Sequence, residues 1–183
     1  AKAYFTHTIN SLRFCLFYDY HTMELNIITP AEAVKNISSG QRLFFQGAAM
    51  TPNLLIDALC QRYKELKDVE IIQVHTEGNA LYTQLPYRDS FNINSCFEGG
   101  NVRGAVNGGN GDYIPIFLSE IHLLFRKSIL PIDVAFIQVS PPDVHGYCSL
   151  GTSVDITLPA VQTAKTVIAQ INPNVPRTHG DGI

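Results

Sequence analysis

The run Ile132–Val139 (IDVAFIQV) limits what this chain can fold into more than any other stretch. It is short, apolar and rich in β-branched residues, and Ser140-Pro141-Pro142 closes it, so it reads as a buried strand that stops abruptly. The segment that follows, Ser140 to Gly151 (SPPDVHGYCSLG), is a proline-stiffened turn carrying Asp143, His145, Tyr147, Cys148 and Ser149. In open α/β sheets, ligands bind beyond the carboxyl ends of the strands, which makes this turn a candidate site.

The rest of the chain alternates strand and helix patterns. Thr29 can cap a short helix that starts at Pro30, runs through AEAVKNI and ends at Gly40. Arg42–Gln46 (RLFFQ) predicts a strand, Gly47–Pro52 a tight loop, and Asn53–Leu66 a helix. Leu54, Leu55, Ala58, Leu59 and Arg62 fall on one face of that helix. Strands are predicted at Val69–Val74, Asn92–Phe97, Asp112–Ile116 and Val167–Ile171. Helices are predicted at Val102–Asn107, Phe117–Phe125 and Pro159–Lys165. This order predicts an α/β fold: one domain built on a mostly parallel sheet with helices on both faces.

Composition excludes several classes. With 183 residues, 45% apolar and 16% charged, the chain is long enough for one ordinary core and is not disordered. A formal charge of −3 with no basic cluster argues against a nucleic-acid or anionic-membrane partner. No apolar run approaches the roughly 18–20 residues that span a bilayer. Cys15, Cys60, Cys96 and Cys148 are unevenly spaced and lack a CxxC, so free thiols and a cytoplasmic setting are expected. No metal spacing occurs among the His and acidic residues, so no metal is expected.

Four loops leave the carboxyl ends of predicted strands: Gly47–Pro52, His75–Pro86, Ser140–Gly151 and Asn172–Gly182. They should converge on one edge of the sheet. Gly47-Ala48-Ala49 could let backbone N–H groups approach a ligand and stabilise an oxyanion; it could equally be a tight turn that avoids a clash. His145 could titrate as a base or hold backbone carbonyls. Arg177, Thr178, His179 and Asp181 are hydrogen-bonding types suited to a domain junction. Arg103 could fork onto a carboxylate or phosphate or lie in solvent. Glu120 reads as a structural hydrogen-bonding group, and Cys148 as a packing residue. Asn107–Gly111 (NGGNG) reads as a flexible turn.

Three long motifs, SPPDVHGYCSLGTSVD, FEGGNVRGAVNGGNGDYIPIFLSEI and IAQINPNVPRTHGD, occur in order within Leu25–Asp181. Together they resemble the N-terminal domain of the acetyl-CoA hydrolase/transferase family, which includes the 4-hydroxybutyrate CoA-transferases. The resemblance implies a CoA-transferase-like domain at residues 23–183, with 1–22 a non-family extension and Met23 the natural start. It implies covalent transfer through a glutamate carboxylate in a second domain beyond this chain, so Glu77 in VHTEG is a decoy and the isolated chain is inactive. Residues Gln46, Gly47, Ala48, Ala49, Ser140, Pro141, Pro142 and His145 would wall the substrate and oxyanion pocket. Asn101 and Arg103 would bind CoA or the acceptor, and Met50 stands where a smaller residue is usual.

The resemblance further implies a coenzyme A thioester as substrate, no permanently bound cofactor, and a small carboxylate as acceptor. The second domain would meet a partly apolar face that drives self-association, with a homo-oligomer expected. Alternatives are an acetyl-CoA hydrolase of the same family or a non-catalytic fragment that binds acyl-CoA or a partner chain. A sugar-phosphate isomerase-like reading rests only on a shared general fold.

Overall fold

Successive side chains of a strand point to opposite faces of its sheet, and in this chain both sets are apolar, so both faces must be covered. The computed structural model describes residues 2–9, 12–18 and 25–178. In chain order the elements are β1 (Lys2–Ile9), β2 (Leu12–Tyr18), β3 (Leu25–Ile28), α1 (Pro30–Ala33), β4 (Arg42–Phe45), α2 (Asn53–Cys60) and β5 (Val69–Gln73). Then follow β6 (Phe91–Ser95), α3 (Arg103–Asn107), β7 (Gly111–Tyr113), α4 (Leu118–Arg126), β8 (Val134–Val139), α5 (Thr157–Thr163) and β9 (Thr166–Ile171). Two single 3-10 turns, Leu81–Thr83 and Tyr87–Asp89, lie between β5 and β6.

Among the described residues the strands form one sheet in the order β3-β2-β1-β9-β8-β4-β5-β6-β7. The strands from β9 to β7 pair in parallel. β1 joins β9 in parallel, whereas β1–β2 and β2–β3 are antiparallel. The sequence predicts no element in residues 1–22 and none at Leu25–Ile28, so this three-strand extension is a finding of the structure. Met23 lies outside the described residues, as do His179 and Asp181.

From β4 the chain steps outward through β5, β6 and β7, then returns to place β8 on the other side of β4 and steps away again to β9. The order therefore reverses between β4 and β8. A crevice opens at such a switch point outside the carboxyl ends of the strands.

The helices cover the two faces as the side-chain alternation requires. One core layer takes Leu43, Phe45, Ile71, Ile93, Phe136 and Ile168 from the strands, packed against Ala33, Leu55, Leu59 and Val102. The opposite layer takes Phe44, Ile72, Ala135, Ile137 and Ala169, packed against Ile121, Phe125 and Ala160. In the first layer Phe45 stacks on Phe136 (centroids 5.4 Å apart, 17° between planes) and meets Tyr82 edge-on at 5.6 Å. In the second, Phe44 meets Phe125 edge-on at 5.8 Å.

Local signals hold at the start of α1. Thr29 Oγ1 accepts from Glu32 N (3.2 Å) and Glu32 Oε2 from Thr29 N (2.8 Å), a reciprocal capping box with Pro30 in the first turn. Two helices are shorter than predicted. Beyond Ala33 the backbone bonds run from i+3 to i (Lys35 N to Glu32 O, Ile37 N to Val34 O), and beyond Cys60 likewise (Arg62 N to Leu59 O, Tyr63 N to Cys60 O). These tighter bonds end the α pattern. Arg62 bonds the carbonyls of Val34 and Ile37, joining the two helix ends. The face α2 buries is Leu55, Ile56, Leu59 and Cys60 rather than the predicted set bounded by Leu54 and Arg62.

Candidate functional site

The loop after β4 is the centre of the strand-end cluster. A Cβ on Gly47 would stand 2.3 Å from the His75 carbonyl oxygen, so only glycine lets the two backbones meet. Their approach is fixed by Ala48 N–H donating to His75 O (2.9 Å), with Ala48 at φ 50°. Thr51 Oγ1 donates to Ala48 O (2.8 Å) and accepts from Glu77 N (2.9 Å), tying on the next loop. Met50 is buried. A Cβ on Gly151 would lie 2.6 Å from its Sδ and 2.8 Å from Val175, so Met50 packs where three loops meet. Ala49 is exposed, and its N–H has no protein partner among the described residues.

Below the loop lies a buried layer of amides. Gln46 Oε1 accepts from Gln138 N (2.7 Å), and its Nε2 donates to the carbonyls of Leu150 (3.3 Å) and Ser153 (3.0 Å). Gln138 Oε1 accepts from Gln170 Nε2 (2.7 Å) and Asn172 Nδ2 (3.4 Å), and its own Nε2 lies 3.5 Å from Ala49 O. Gln170 Oε1 accepts from Leu54 N (3.2 Å). Pro52 offers α2 no side-chain cap, so a glutamine of β9 supplies it across the fold. Gln170→Leu is expected to cost about 0.5–2 kcal/mol, the range for a lost helix cap. Urea denaturation measures it, and an unchanged midpoint would show that the bond contributes nothing.

The Ser140–Gly151 loop doubles back on itself: Ser140 N donates to Ser149 O (3.0 Å) and Asp143 N to Tyr147 O (2.9 Å). Asp143 Oδ1 accepts from His145 N and Tyr147 N, each at 2.9 Å, while Oδ2 pairs with Arg177 at 2.7 Å. Desolvation opposes ionisation of Asp143, yet these N–H donors and the guanidinium hold its carboxyl below the usual carboxylate range. Thr178 Oγ1 sits 2.6 Å from Ser149 Oγ, so the Arg177-Thr178 segment ties this loop down. Cys148 is buried and desolvation pushes its thiol up to about 12, which keeps it protonated.

Of the predicted pocket residues, Gln46, Gly47, Ala48, Ala49 and Ser140 lie together at the switch point. Pro141 and Pro142 are half-buried at the base of their loop, and His145 stands at its exposed tip. Asn101 reaches the cluster, with Nδ2 3.3 Å from Thr76 Oγ1 and 3.4 Å from Gly78 O. Thr76 in turn bonds Gln73 and the buried Tyr82 hydroxyl. Arg103 is exposed at the start of α3 and donates to Glu98 O (3.1 Å) in the preceding loop. Glu120 is exposed in the first turn of α4.

Sequence reasoning passed over Gln138 and Gln170, although a signal was present. RLFFQ, VEIIQ, DVAFIQV and TVIAQI each place a lone glutamine near the end of an apolar run. It also passed over Asp155, which lines a cavity of about 390 Å³ with Val74, His75, Cys96 and Ile121. Desolvation raises the Asp155 carboxyl above its ordinary value, opposed by N–H donors and by His75. Next to this cavity is a wider groove of about 830 Å³ between α4 and the segment leading into α5. Phe97, Tyr113, Phe117, Leu118 and Val154 line the two spaces and are 40–77% exposed. Among the described residues no helix is long and apolar enough to cross a membrane.

These features define a doubly wound α/β domain with a cluster of loops at the carboxyl ends of its parallel strands. The chain belongs to the acetyl-CoA hydrolase/transferase family, whose N-terminal-domain profile matches residues 18–183. A succinyl-CoA:acetate/propanoyl-CoA:succinate CoA transferase of Fasciola hepatica is 46% identical over 150 residues, covering 79% of this chain and 30% of that protein. A 4-hydroxybutyrate coenzyme A transferase of Clostridium kluyveri is 43% identical over 155 residues, 85% of this chain and 36% of its own length. The crystal structure of RipA from Yersinia pestis superposes with a TM-score of 0.77 at 26% identity, over 82% of this chain and 37% of RipA. The chain thus spans about a third of the length of the relatives it matches.

Proposed function

We propose that this chain is the N-terminal domain of an acyl-CoA:carboxylate CoA-transferase of the 4-hydroxybutyrate or acetate type. It walls the acyl pocket and supplies hydrogen-bond donors, while the nucleophilic glutamate comes from a second domain of the same enzyme. The observation that carries this is the Gly47–Ala49 loop at the switch point, fixed by the Ala48 N–H to His75 O bond, where the N–H of the exposed residue Ala49 has no protein partner among the described residues. When a carboxylate attacks a thioester carbonyl, negative charge grows on the carbonyl oxygen, and a fixed N–H donor stabilises it most in the transition state. Collapse expels CoA thiolate and leaves an acyl-glutamyl anhydride. The thiolate then forms a glutamyl-CoA thioester as the first carboxylate departs, and a second small carboxylate reverses both steps.

Of this chain's groups, the glycine and alanine backbone admits the thioester, the amide layer holds the loop in place, and Asn101 steadies the neighbouring turn through Thr76. The exposed apolar side chains at Phe97, Tyr113, Phe117, Leu118 and Val154 form the face that the second domain covers, and subunits of the enzyme associate as homo-oligomers. The enzyme is cytoplasmic and takes the coenzyme A thioester as substrate rather than as a resident cofactor.

Intact mass after incubation with acetyl-CoA, together with amide shifts of the labelled chain, tests the reading. The expected result is unchanged mass with shifts at Gly47, Ala48 and Ala49. A covalent adduct that disappears in Glu77→Gln, Glu98→Gln or Glu120→Gln would place the nucleophile in this chain and overturn the assignment.

A further inference from the structure

β4 and β8 stop pairing just below the Gly47–Ala49 loop. Their ladder ends where Phe45 lies opposite Phe136, with Gln46 N donating to Phe136 O (3.0 Å). β8 stays paired with β9 as far as Val139 and Ile171. In a parallel ladder, a residue that donates to one residue of its neighbour accepts from the residue two places further on. The Gln138 N–H would therefore go next to the main-chain carbonyl of Gln46. It goes instead to Oε1 of the Gln46 side chain (2.7 Å). An amide side chain standing between the strands thus carries the bond that would have drawn their backbones together. On its other side the chain leans to β5, through Ala48 N–H to His75 O and the isolated bridge between Ala48 and Thr76.

The nitrogen end of the same amide is also committed. Gln46 Nε2 donates to Ser153 O (3.0 Å) and Leu150 O (3.3 Å), so the acceptor and both N–H groups are used. Leu150 and Ser153 bracket Gly151, against which Met50 packs so closely that a Cβ there would lie 2.6 Å from Met50 Sδ. The residues on either side of Gly47-Ala48-Ala49 therefore rest on one turn. Gln46 is wholly buried, so whatever it does to a ligand it does through the loop. Without its amide, three main-chain groups would lose their partner, and the backbone around them would close up to recover one.

We propose that Gln46 is a positioning residue: its amide wedges β4 from β8, opens the crevice at the switch point and aims the Ala49 N–H at the thioester carbonyl. The proposal rests on the CoA-transferase reading and adds to it the side chain that sets the direction of the donor.

Infrared difference spectra of the chain with acetyl-CoA, isotope-labelled at the thioester carbonyl, read that direction. A hydrogen bond to the carbonyl oxygen lowers its stretching frequency. The bound carbonyl is expected below its free frequency in the wild type and back near it in Gln46→Met, which keeps the length of the side chain and removes the amide. Affinity for acetyl-CoA should fall roughly two- to twelvefold, the equivalent of one net hydrogen bond. Val69→Ala is the control. That buried residue begins β5, at the opposite end of the sheet, so its loss lowers stability without touching the loop and should keep the lowered frequency.

Where Gln46→Met does not fold, Gln46→Glu decides. Glutamate keeps the acceptor for the Gln138 N–H but turns an oxygen towards the carbonyls of Leu150 and Ser153, and should likewise return the frequency towards the free value. A lowered frequency that survives in the Gln46 variant, or that is lost equally in Val69→Ala, would overturn the positioning role and leave the CoA reading standing. An unshifted carbonyl in the wild type, or no binding of acetyl-CoA, would overturn both.

Discussion

Replacing Phe45 with alanine is expected to lower the unfolding free energy by about 3–5 kcal/mol, the range for emptying a buried aromatic site. Phe45 is fully buried on β4, the strand at the switch point, between the stacked ring of Phe136 and the edge of Tyr82. Each ring pair adds about 0.5–1.5 kcal/mol beyond the area buried, and both are lost together. The cavity left behind cannot collapse easily, because β5 and β8 clamp β4 on either side. Against a total stability of about 5–15 kcal/mol for a domain, this is a large fraction. Urea denaturation monitored by circular dichroism measures it. A loss below about 1 kcal/mol, near the average for any point change, would show that the layer containing Phe45 is not close-packed.

Gly47→Ala is expected to have the largest effect on the site. The added methyl would lie 2.3 Å from a backbone oxygen, and a backbone atom cannot swing aside as a side chain can. Either β4 and the His75 segment separate or the loop changes path, and in both cases the Ala48 N–H to His75 O bond goes. Strain of this kind typically costs about 1–3 kcal/mol. A fair control is Gly104→Ala in α3, where the new methyl meets nothing within 4 Å. That change is expected to be neutral or to stabilise by about 0.4–1 kcal/mol. Hydrogen exchange at Ala48, read beside urea midpoints for both variants, distinguishes the cases. Equal behaviour of the two would remove the steric argument for Gly47.

Much of the architecture is legible because burial leaves a periodic trace. Leu43, Phe45 and Phe136 on one side and Phe44, Ala135 and Ile137 on the other form apolar runs that only a strand covered on both faces accounts for. Loops at the strand ends follow from the same runs, so Gly47–Pro52 and Ser140–Gly151 could be placed beyond the carboxyl ends of their strands from the sequence. The Thr29 cap ahead of Pro30 was readable too, since a cap and its helix are neighbours in sequence, whereas the reciprocal bond from Glu32 came only with the structure.

What could not be read depends on partners distant in sequence. Gln170 caps α2 from a strand more than a hundred residues away, and no local pattern marks a side chain that bonds Leu54. Gly47 looks like any loop glycine until the His75 carbonyl is placed against it. Arg103 had equal claims to ligand and solvent until Glu98 O took its guanidinium.

By itself, the sequence determined the α/β alternation, the two apolar faces and the family, because hydrophobic period and contiguous motifs are local properties of a chain. Only the tertiary structure decided the strand order, the reversal between β4 and β8, the amide layer and the cavity beside His75. Each of these comes from which strands pair and which loops meet, and pairing is settled by the packing of the whole core rather than by any one segment.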